Sequence, residues 1–239
     1  MDKLALLSKN ALLAVLPASD ASPLEVTLVE LHTHQTIYES DRPIDDVYFP
    51  VDAVISVVTT LHDGTTVEVG SIGSEGTTGL FAALGASTVP YATFCQVDGK
   101  CFVMSRASFE HYLNSVAVFQ QALNAFAVGY LNMLAQLVAC NRLHSLEERC
   151  ARWLLMTHDR VGRDTFSLTQ EFLAMMLGVR RSGVTLAASS FAEAGFIKYS
   201  RGSITILDRA GLEKETCECY ALERWQFHFP QAEQRSGPA

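Results

Sequence analysis

A single glycine between two stretches of helical periodicity most restricts how this chain can fold. Before Gly178, apolar residues recur at Phe172, Leu173, Met176 and Leu177, and a second periodic stretch runs from Val179 to Phe191. A tight turn between two helices needs a positive φ angle or a close backbone approach, and glycine provides both at little cost. The segment 166–189 therefore predicts two short helices that cross at a tight turn.

The spacing within this segment matches one particular helix pair. Counted from Gln170, the fifth, ninth and fifteenth residues are Ala174, Gly178 and Val184. In a helix-turn-helix these positions must be small, turn-permitting and apolar, because the two helices touch there. Ser167 or Thr169 can cap the first helix, with Gln170 three residues after Ser167 as in a capping box.

The second helix and the segment after it predict a surface that contacts DNA. Arginine at the start of such a helix can bind guanine O6 and N7 or hold a phosphate. Two strand-like runs then flank the turn 200–203, which predicts a wing with a cation at its tip. The expected contact residues are Thr169, Gln170, Arg180, Arg181, Ser182, Thr185, Lys198 and Arg201. Alternatively, Arg180 and Arg181 only solvate a surface helix.

Charge is distributed unevenly along the chain, whose net charge is −8. Residues 1–144 hold 6 Lys/Arg against 14 Asp/Glu, residues 145–209 hold 9 against 7, and residues 210–239 hold 3 against 5. Basic charge confined to one segment is typical of a DNA-binding module on an acidic body, although a solvated face can produce the same balance.

The chain from Thr27 to about Met104 has the character of short strands. Runs rich in β-branched and aromatic residues occur at 26–29, 47–49, 54–58 and 66–69, with turn signals at 40–43, 62–64 and 98–99. Many short strands at close spacing predict a sandwich, jelly roll or barrel.

From Ser108 to about Cys140 the chain has no proline and one glycine, which predicts a long helix. Apolar residues alternate at spacings of four and three, at Phe119, Leu123, Phe126, Tyr130, Met133 and Leu137. Such a heptad pattern is typical of two helices that bury a shared stripe, so it predicts a dimerisation helix. An intramolecular core helix is the alternative.

The expected fold class is therefore α+β: an N-terminal antiparallel β jelly roll or barrel, a long dimerisation helix and a C-terminal winged helix-turn-helix. The expected domains are 1–107 for the barrel, 108–143 for the helix and hinge, 144–212 for the DNA-binding domain and 213–239 for a tail.

The sequence contains no run of 18 apolar residues, so no membrane span is predicted. Lys9 and Asn10 interrupt the N-terminal apolar cluster, which predicts an amphipathic helix in a cytoplasmic protein.

The six cysteines follow no framework spacing and predict reduced, mostly buried thiols. Cys217 and Cys219 could bind a soft metal, but two ligands do not make a closed zinc site, so no metal or cofactor is expected. Nor does any cysteine precede Cys95, where an N-terminal iron–sulfur cluster would need ligands.

Over about residues 10–212 the chain resembles the Crp/Fnr superfamily of bacterial transcription regulators. The similar segments are 48–56, 63–70, 73–80, 140–142 and 169–181. The resemblance implies a cyclic-nucleotide-binding-like barrel, dimerisation through the long helix and binding to a two-fold symmetric operator. Double-stranded DNA and a second copy of the chain are thus the expected partners, with RNA polymerase a further candidate.

Two departures from the family pattern concern the effector and the operator. Members that bind cyclic nucleotide carry a Gly-Glu pair and an Arg-Ser/Thr-Ala run, whereas here Gly76 precedes Thr77 and the second run is Pro90-Tyr91-Ala92. The expected effector pocket comprises Gly76, Thr77, Thr78, Pro90, Tyr91 and Ala92. Because burying an unpaired phosphate is costly, cAMP is predicted not to be the effector. The expected partner is then a small molecule of unknown identity. Ser182 and Leu186 also replace the Glu and Arg of familiar recognition helices.

Other functions stay open at this point. His32, His34 and Glu39 fit the first metal motif of cupin enzymes, which are also jelly rolls, but no second histidine motif follows. His32 and His34 are therefore expected to be surface residues of a strand. Haem or gas sensing through His32, His34 or His111 is a further alternative, as is a regulator that needs no ligand. No nucleophile–base arrangement predicts an enzyme.

Overall fold

The computed structural model describes residues 3–21 and 23–224. It opens with three short helices, α1 (Lys3–Leu7), α2 (Ala11–Ala14) and α3 (Ala18–Ala21). The prediction of one amphipathic helix is therefore wrong, because the chain breaks at Asn10. This fully buried side chain caps α2 and donates hydrogen bonds to the carbonyls of Pro50 and Gly76, each at 2.9 Å.

Seven strands form the N-terminal domain and confirm the antiparallel β prediction. They are β1 (Thr27–Leu31), β2 (Thr36–Tyr38), β3 (Asp46–Pro50), β4 (Val54–Thr60), β5 (Thr66–Ile72), β6 (Ala92–Val97) and β7 (Gly99–Ser105), with the short helix α4 (Leu80–Ala83) after β5. One sheet has the order β1-β7-β3 and the other β2-β6-β4-β5, and all pairs are antiparallel.

The long helical segment is two helices, α5 (Arg106–Ser115) and α6 (Ala117–Leu143), separated at Val116, whose backbone is extended. Five of the six predicted dimer-contact residues, Phe119, Leu123, Phe126, Tyr130 and Met133, are at most 3% exposed within a single chain. They pack into the barrel core, and Leu137 is half-buried. The prediction of the five buried residues as contacts between subunits is therefore wrong, whereas that of Leu137 stays a prediction.

The reason is that α6 carries a second apolar stripe on its opposite face. Val128, Leu131 and Val138 are 60%, 61% and 72% exposed, and Ala135 lies between them, again at spacings of three and four. A heptad period shows that a helix has a buried stripe but not which partner covers it. By length and composition α6 could also cross a membrane, although the sequence has no run of 18 apolar residues. Its packing on the barrel instead makes it a core helix.

The C-terminal part begins with α7 (Leu146–Val161), whose start is a capping box formed by Ser145 and Glu148. It continues through β8 (Thr165–Ser167), α8 (Gln170–Leu177), α9 (Arg181–Glu193), β9 (Ile197–Ser200) and β10 (Ser203–Ile206) to α10 (Arg209–Lys214) and α11 (Cys219–Arg224). The sheet order is β8-β10-β9. Residues 213–224 of the predicted tail are thus largely helical and in contact with α6 and α7; residues 225–239 lie outside the described part.

A second apolar core joins the two domains. Val54, Val58 and Val97, on the outer face of the four-stranded sheet, cluster with buried residues of α7, α8 and α9. The C-terminal domain therefore packs directly on the barrel.

Candidate DNA-binding surface

The helix pair α8 and α9 has the predicted helix-turn-helix geometry. Thr169 caps α8 by accepting a hydrogen bond from the Phe172 amide at 3.1 Å, so Thr169 and not Ser167 is the cap. Gly178 has a φ of +62°, and an added Cβ would lie 3.0 Å from Val67 of the barrel. Ala174 and Val184 are 4% and 0% exposed, as the crossing of two helices requires.

The start of α9 presents the predicted cationic face to solvent. Arg180, Arg181 and Ser182 are all exposed. The helix begins at Arg181 and not at Val179, because Arg180 is the extended N-cap residue. The Thr185 hydroxyl donates to Oε1 of Gln170 at 2.8 Å, with a further contact to the Arg181 carbonyl at 3.0 Å. Thr185 and Gln170 are half-buried and tie the two helices together, while the three exposed residues are free to approach a ligand.

The predicted wing is the hairpin of β9 and β10. Its tip is Arg201-Gly202, with φ angles of +48° and +79°. Positive φ at both central residues is the geometry of a tight two-residue hairpin. Arg201 and Lys198 are exposed, so both predicted wing cations point away from the domain core.

Comparison with known proteins agrees with this geometry. Residues 28–116 match the model of the cyclic nucleotide-binding domain, and residues 148–215 match that of the Crp-like helix-turn-helix domain. The chain belongs to the Crp/Fnr superfamily. It is a DNA-binding transcription regulator of the Crp/Fnr type, a class whose members are generally not enzymes. A search of curated protein sequences finds no significant match.

Solved structures share the fold of this Crp/Fnr chain. FixK2 from Bradyrhizobium japonicum superposes with a TM-score of 0.69 at 20% identity, covering 81% of this chain and 98% of that one. A putative Crp/Fnr-family transcriptional regulator from Eubacterium rectale gives a TM-score of 0.65 at 17% identity, covering 87% and 98%. The c-di-GMP-responsive regulator CLP of Xanthomonas campestris gives 0.58 at 11% identity, covering 76% and 93%.

Inside the Crp/Fnr barrel lies a narrow cavity of about 10 Å³, roughly the space of one water molecule. Its wall combines apolar and hydroxyl side chains, with no charged residue among the described lining residues: Tyr38, Val57, Ile72, Thr77, Thr78, Leu80, Phe81, Tyr91, Thr93, Phe126 and Tyr130. Burial raises the pKa of Tyr38, Tyr91 and Tyr130, so these phenols are neutral at physiological pH. The cavity therefore offers no fixed charge to a ligand.

The structure divides the six predicted pocket residues. Thr77, Thr78 and Tyr91 line the cavity, but Pro90 is exposed and Ala92 packs on the outer, interdomain core, so the last two were predicted wrongly. Ala92 and Thr93 are neighbours on β6 and must point to opposite faces. Gly76 does not line the cavity either: its Cα lies so close to the Phe126 ring that a Cβ has no space. Phe126 and Tyr130 of α6 instead fill part of the barrel interior.

A polar network between the domains was not predicted. The buried Glu68 of β5 accepts hydrogen bonds from Ser56 Oγ at 2.6 Å and from Trp153 Nε1 of α7 at 2.9 Å. Arg160 of α7 binds Glu75 and Ser71 at 2.9 and 3.1 Å. The sequence signal for this network was a lone glutamate between valines in a predicted strand. Its partner, Trp153, lies 85 residues away.

The cupin-like histidines do not form a metal site. His32 and His34 lie in the turn after β1, where His34 has a φ of +68° and its ring contacts Phe172 of α8 at 5.2 Å. The prediction of strand residues is therefore wrong. Over the described ranges 3–21 and 23–224, the one group of three or more possible metal ligands lies elsewhere, at Cys140, His144, Cys217 and Cys219.

Proposed function

We propose that this Crp/Fnr regulator acts in the cytoplasm as a homodimer on a two-fold symmetric DNA site. The observation that carries the proposal is the exposed apolar stripe of α6, on the same chain as an exposed cationic α9. Four apolar residues at heptad spacing, Val128, Leu131, Ala135 and Val138, match the seam of a two-stranded coiled coil. Two copies joined there bring two recognition helices to one face of the duplex.

Each recognition helix enters the major groove with its N-terminal turn. Arg181 reads a base edge, since a guanidinium can bind guanine O6 and N7 together, while Arg180 and Ser182 contact bases or phosphates beside it. Arg201 and Lys198 of the wing bind the phosphate backbone. A two-fold dimer places its half-sites about one helical turn, roughly 34 Å, apart.

The barrel does not use a cyclic nucleotide as its effector. A cyclic phosphate needs a cation beside it in a buried site, and the described lining of the cavity holds none. At about 10 Å³ the cavity is far smaller than ligand pockets, which span roughly 300–1,000 Å³. A small effector would need the barrel interior to open, so a regulator that needs no ligand fits this cavity better. RNA polymerase is a further proposed partner.

Selection of bound sequences from random duplex DNA tests the proposal, combined with sedimentation of the free protein. We expect a dimer and an enriched palindrome whose affinity falls steeply with salt. Addition of cAMP should leave the affinity unchanged. A monomer that enriches no sequence, or an affinity that does not depend on salt, would contradict the proposal.

A further inference from the structure

Four side chains with metal-binding atoms converge where α6 ends. Cys140 and His144 come from the last turn of α6 and its C-cap, and Cys217 and Cys219 from the segment that starts α11. The three cysteines are at most 5% exposed and form a small cluster apart from both apolar cores. Their ligand atoms and one histidine nitrogen all lie within 4.8 Å of one another. From the sequence only Cys217 and Cys219 are candidate ligands, because Cys140 and His144 lie more than 70 residues away.

The distances fit one ion with four ligands. Cys140 Sγ lies 3.6 Å from Cys217 Sγ, and Cys219 Sγ lies 3.5 Å from Nδ1 of His144. A tetrahedral zinc ion, with Zn–S of about 2.3 Å and Zn–N of about 2.0 Å, puts adjacent ligand atoms roughly 3.5–3.8 Å apart. A polynuclear iron–sulfur cluster spreads its cysteines over several irons, so this compact set suits a single ion.

The surroundings of the four ligands favour a bound cation. Nε2 of His144 lies 3.3 Å from Oε2 of Glu218, which leaves Nδ1 directed at the cysteines. A ligating histidine whose other nitrogen donates to a carboxylate is the usual arrangement around zinc. Nε2 of Gln136 donates to Cys219 Sγ at 3.0 Å, a contact that stabilises a thiolate.

Charge balance agrees with this arrangement. Three thiolates, a neutral imidazole and Zn²⁺ carry a net charge of −1. Arg152 of α7 is 2% exposed, and its positive charge acts on Cys140. A buried guanidinium beside the cluster offsets the remaining negative charge.

We propose that Cys140, His144, Cys217 and Cys219 bind one structural Zn²⁺ ion. All four coordination positions are then filled by protein, so the site is closed and does no hydrolytic chemistry. The ion fastens α11 to the end of α6, at the hinge where α7 begins with its cap Ser145. Because the ligands come from both sides of the DNA-binding domain in the sequence, zinc stabilises the position of that domain relative to α6.

The first experiment measures metal on the full chain purified under reducing conditions. We expect about one zinc per chain by elemental analysis. After removal of zinc with a chelator, addition of Co²⁺ should produce the intense visible bands of tetrahedral cobalt and a sulfur-to-cobalt charge-transfer band. Zinc should then displace the cobalt. This measurement uses the wild-type protein and does not depend on the folding of any variant.

Variants then assign the ligands. Cys217→Ser and His144→Ala should lose the bound zinc, while Cys95→Ser should keep it, because Cys95 is buried outside the cluster and a hydroxyl can replace its hydrogen bond to Val97. Glu218→Gln changes an exposed side chain, so the fold should tolerate it. We expect zinc affinity to fall about 10-fold in this variant, measured by chelator competition.

Three results would overturn the proposal. A reduced protein that binds neither zinc nor cobalt has no such site. Iron with acid-labile sulfide in place of zinc would show a cluster. A disulfide between Cys140 and Cys217 in protein purified under reducing conditions would show that these thiols serve a covalent link.

Discussion

Trp153 of α7 donates its indole hydrogen to the buried carboxylate of Glu68 in β5, over 2.9 Å. This bond crosses the boundary between the barrel and the DNA-binding domain. Ser56 completes the site from the neighbouring strand at 2.6 Å. The carboxyl group of Glu68 is thus an ionisable group inside the interdomain contact. We therefore expect the free energy of unfolding to depend on pH.

We expect Glu68→Gln to stabilise the protein above neutral pH. Burial raises the pKa of Glu68 from 4.5 to about 7, although Ser56, Trp153, Arg160 and Arg152 act to lower it. A carboxyl group whose pKa is higher in the folded state stabilises the protein fully at pH values below its unfolded-state pKa. This contribution is lost as the pH rises through the folded-state pKa. The free energy of unfolding of Glu68→Gln should thus exceed that of the wild type most near pH 8, by up to about 3 kcal/mol. The difference should shrink towards pH 5.

Urea unfolding of both proteins across this pH range measures the difference. Glu215→Gln, at an exposed glutamate, is the matched control and should leave the profile unchanged. Equal pH profiles for Glu68→Gln and the wild type would show that Glu68 does not titrate in this range.

Arg181→Ala should weaken binding to the selected DNA site by about 1–3 kcal/mol and relax the preference at one base pair. The physical reason is the loss of a paired contact to a base edge. Titrations of the cognate duplex and of single-base variants measure both effects. Arg42→Ala removes an exposed barrel arginine and should change neither. An unchanged preference in the Arg181 variant would remove this residue from base recognition.

Arg201→Asn should weaken binding to all sequences alike and reduce the slope of log affinity against log salt by about one. Asparagine tolerates the left-handed conformation of this residue, whose φ is +48°, so the wing should keep its shape. The salt slope, measured on cognate and random duplexes, is the readout. A loss confined to the cognate duplex would point to base contact and contradict this role.

Leu131→Glu should convert the proposed dimer to a monomer and abolish tight DNA binding, because it buries a charge in the seam. The residue is 61% exposed in the single chain, so the fold should tolerate the change. Sedimentation equilibrium distinguishes the two states. Leu84→Glu, at a leucine 74% exposed on the barrel, should leave the dimer intact. If both variants stay dimeric, the subunits associate through another surface.

Asn10→Ala should lower the free energy of unfolding by about 2–4 kcal/mol, since it removes a helix cap and leaves two buried carbonyls without a donor. Thermal or urea unfolding measures the loss. Asn114→Ala is the matched control: that exposed amide donates to the Glu110 carbonyl of its own helix, and the change should stay within about 0.5 kcal/mol. Equal effects would mean that Asn10 does not hold the N-terminal helices to the barrel.

Local patterns in the sequence were sufficient for the parts of the fold that depend on neighbouring residues. The positions of Ala174, Gly178 and Val184 identify the helix-turn-helix because helix crossing restricts each one to a residue type within 15 positions. The wing could be predicted for the same reason, because two strands and a tight turn are close in the chain. The exposed residues that we propose to contact DNA follow from these elements.

Only the tertiary structure decided which stripe of α6 is buried in its own chain, since Phe126 and Leu131 both belong to heptad-spaced apolar stripes and the barrel covers just one of them. It also decided that Cys140 and His144 meet Cys217 and Cys219, and that Glu68 meets Trp153. These contacts join residues about 70 to 85 positions apart. Periodicity reports which side of an element is apolar, but only packing determines what lies against it.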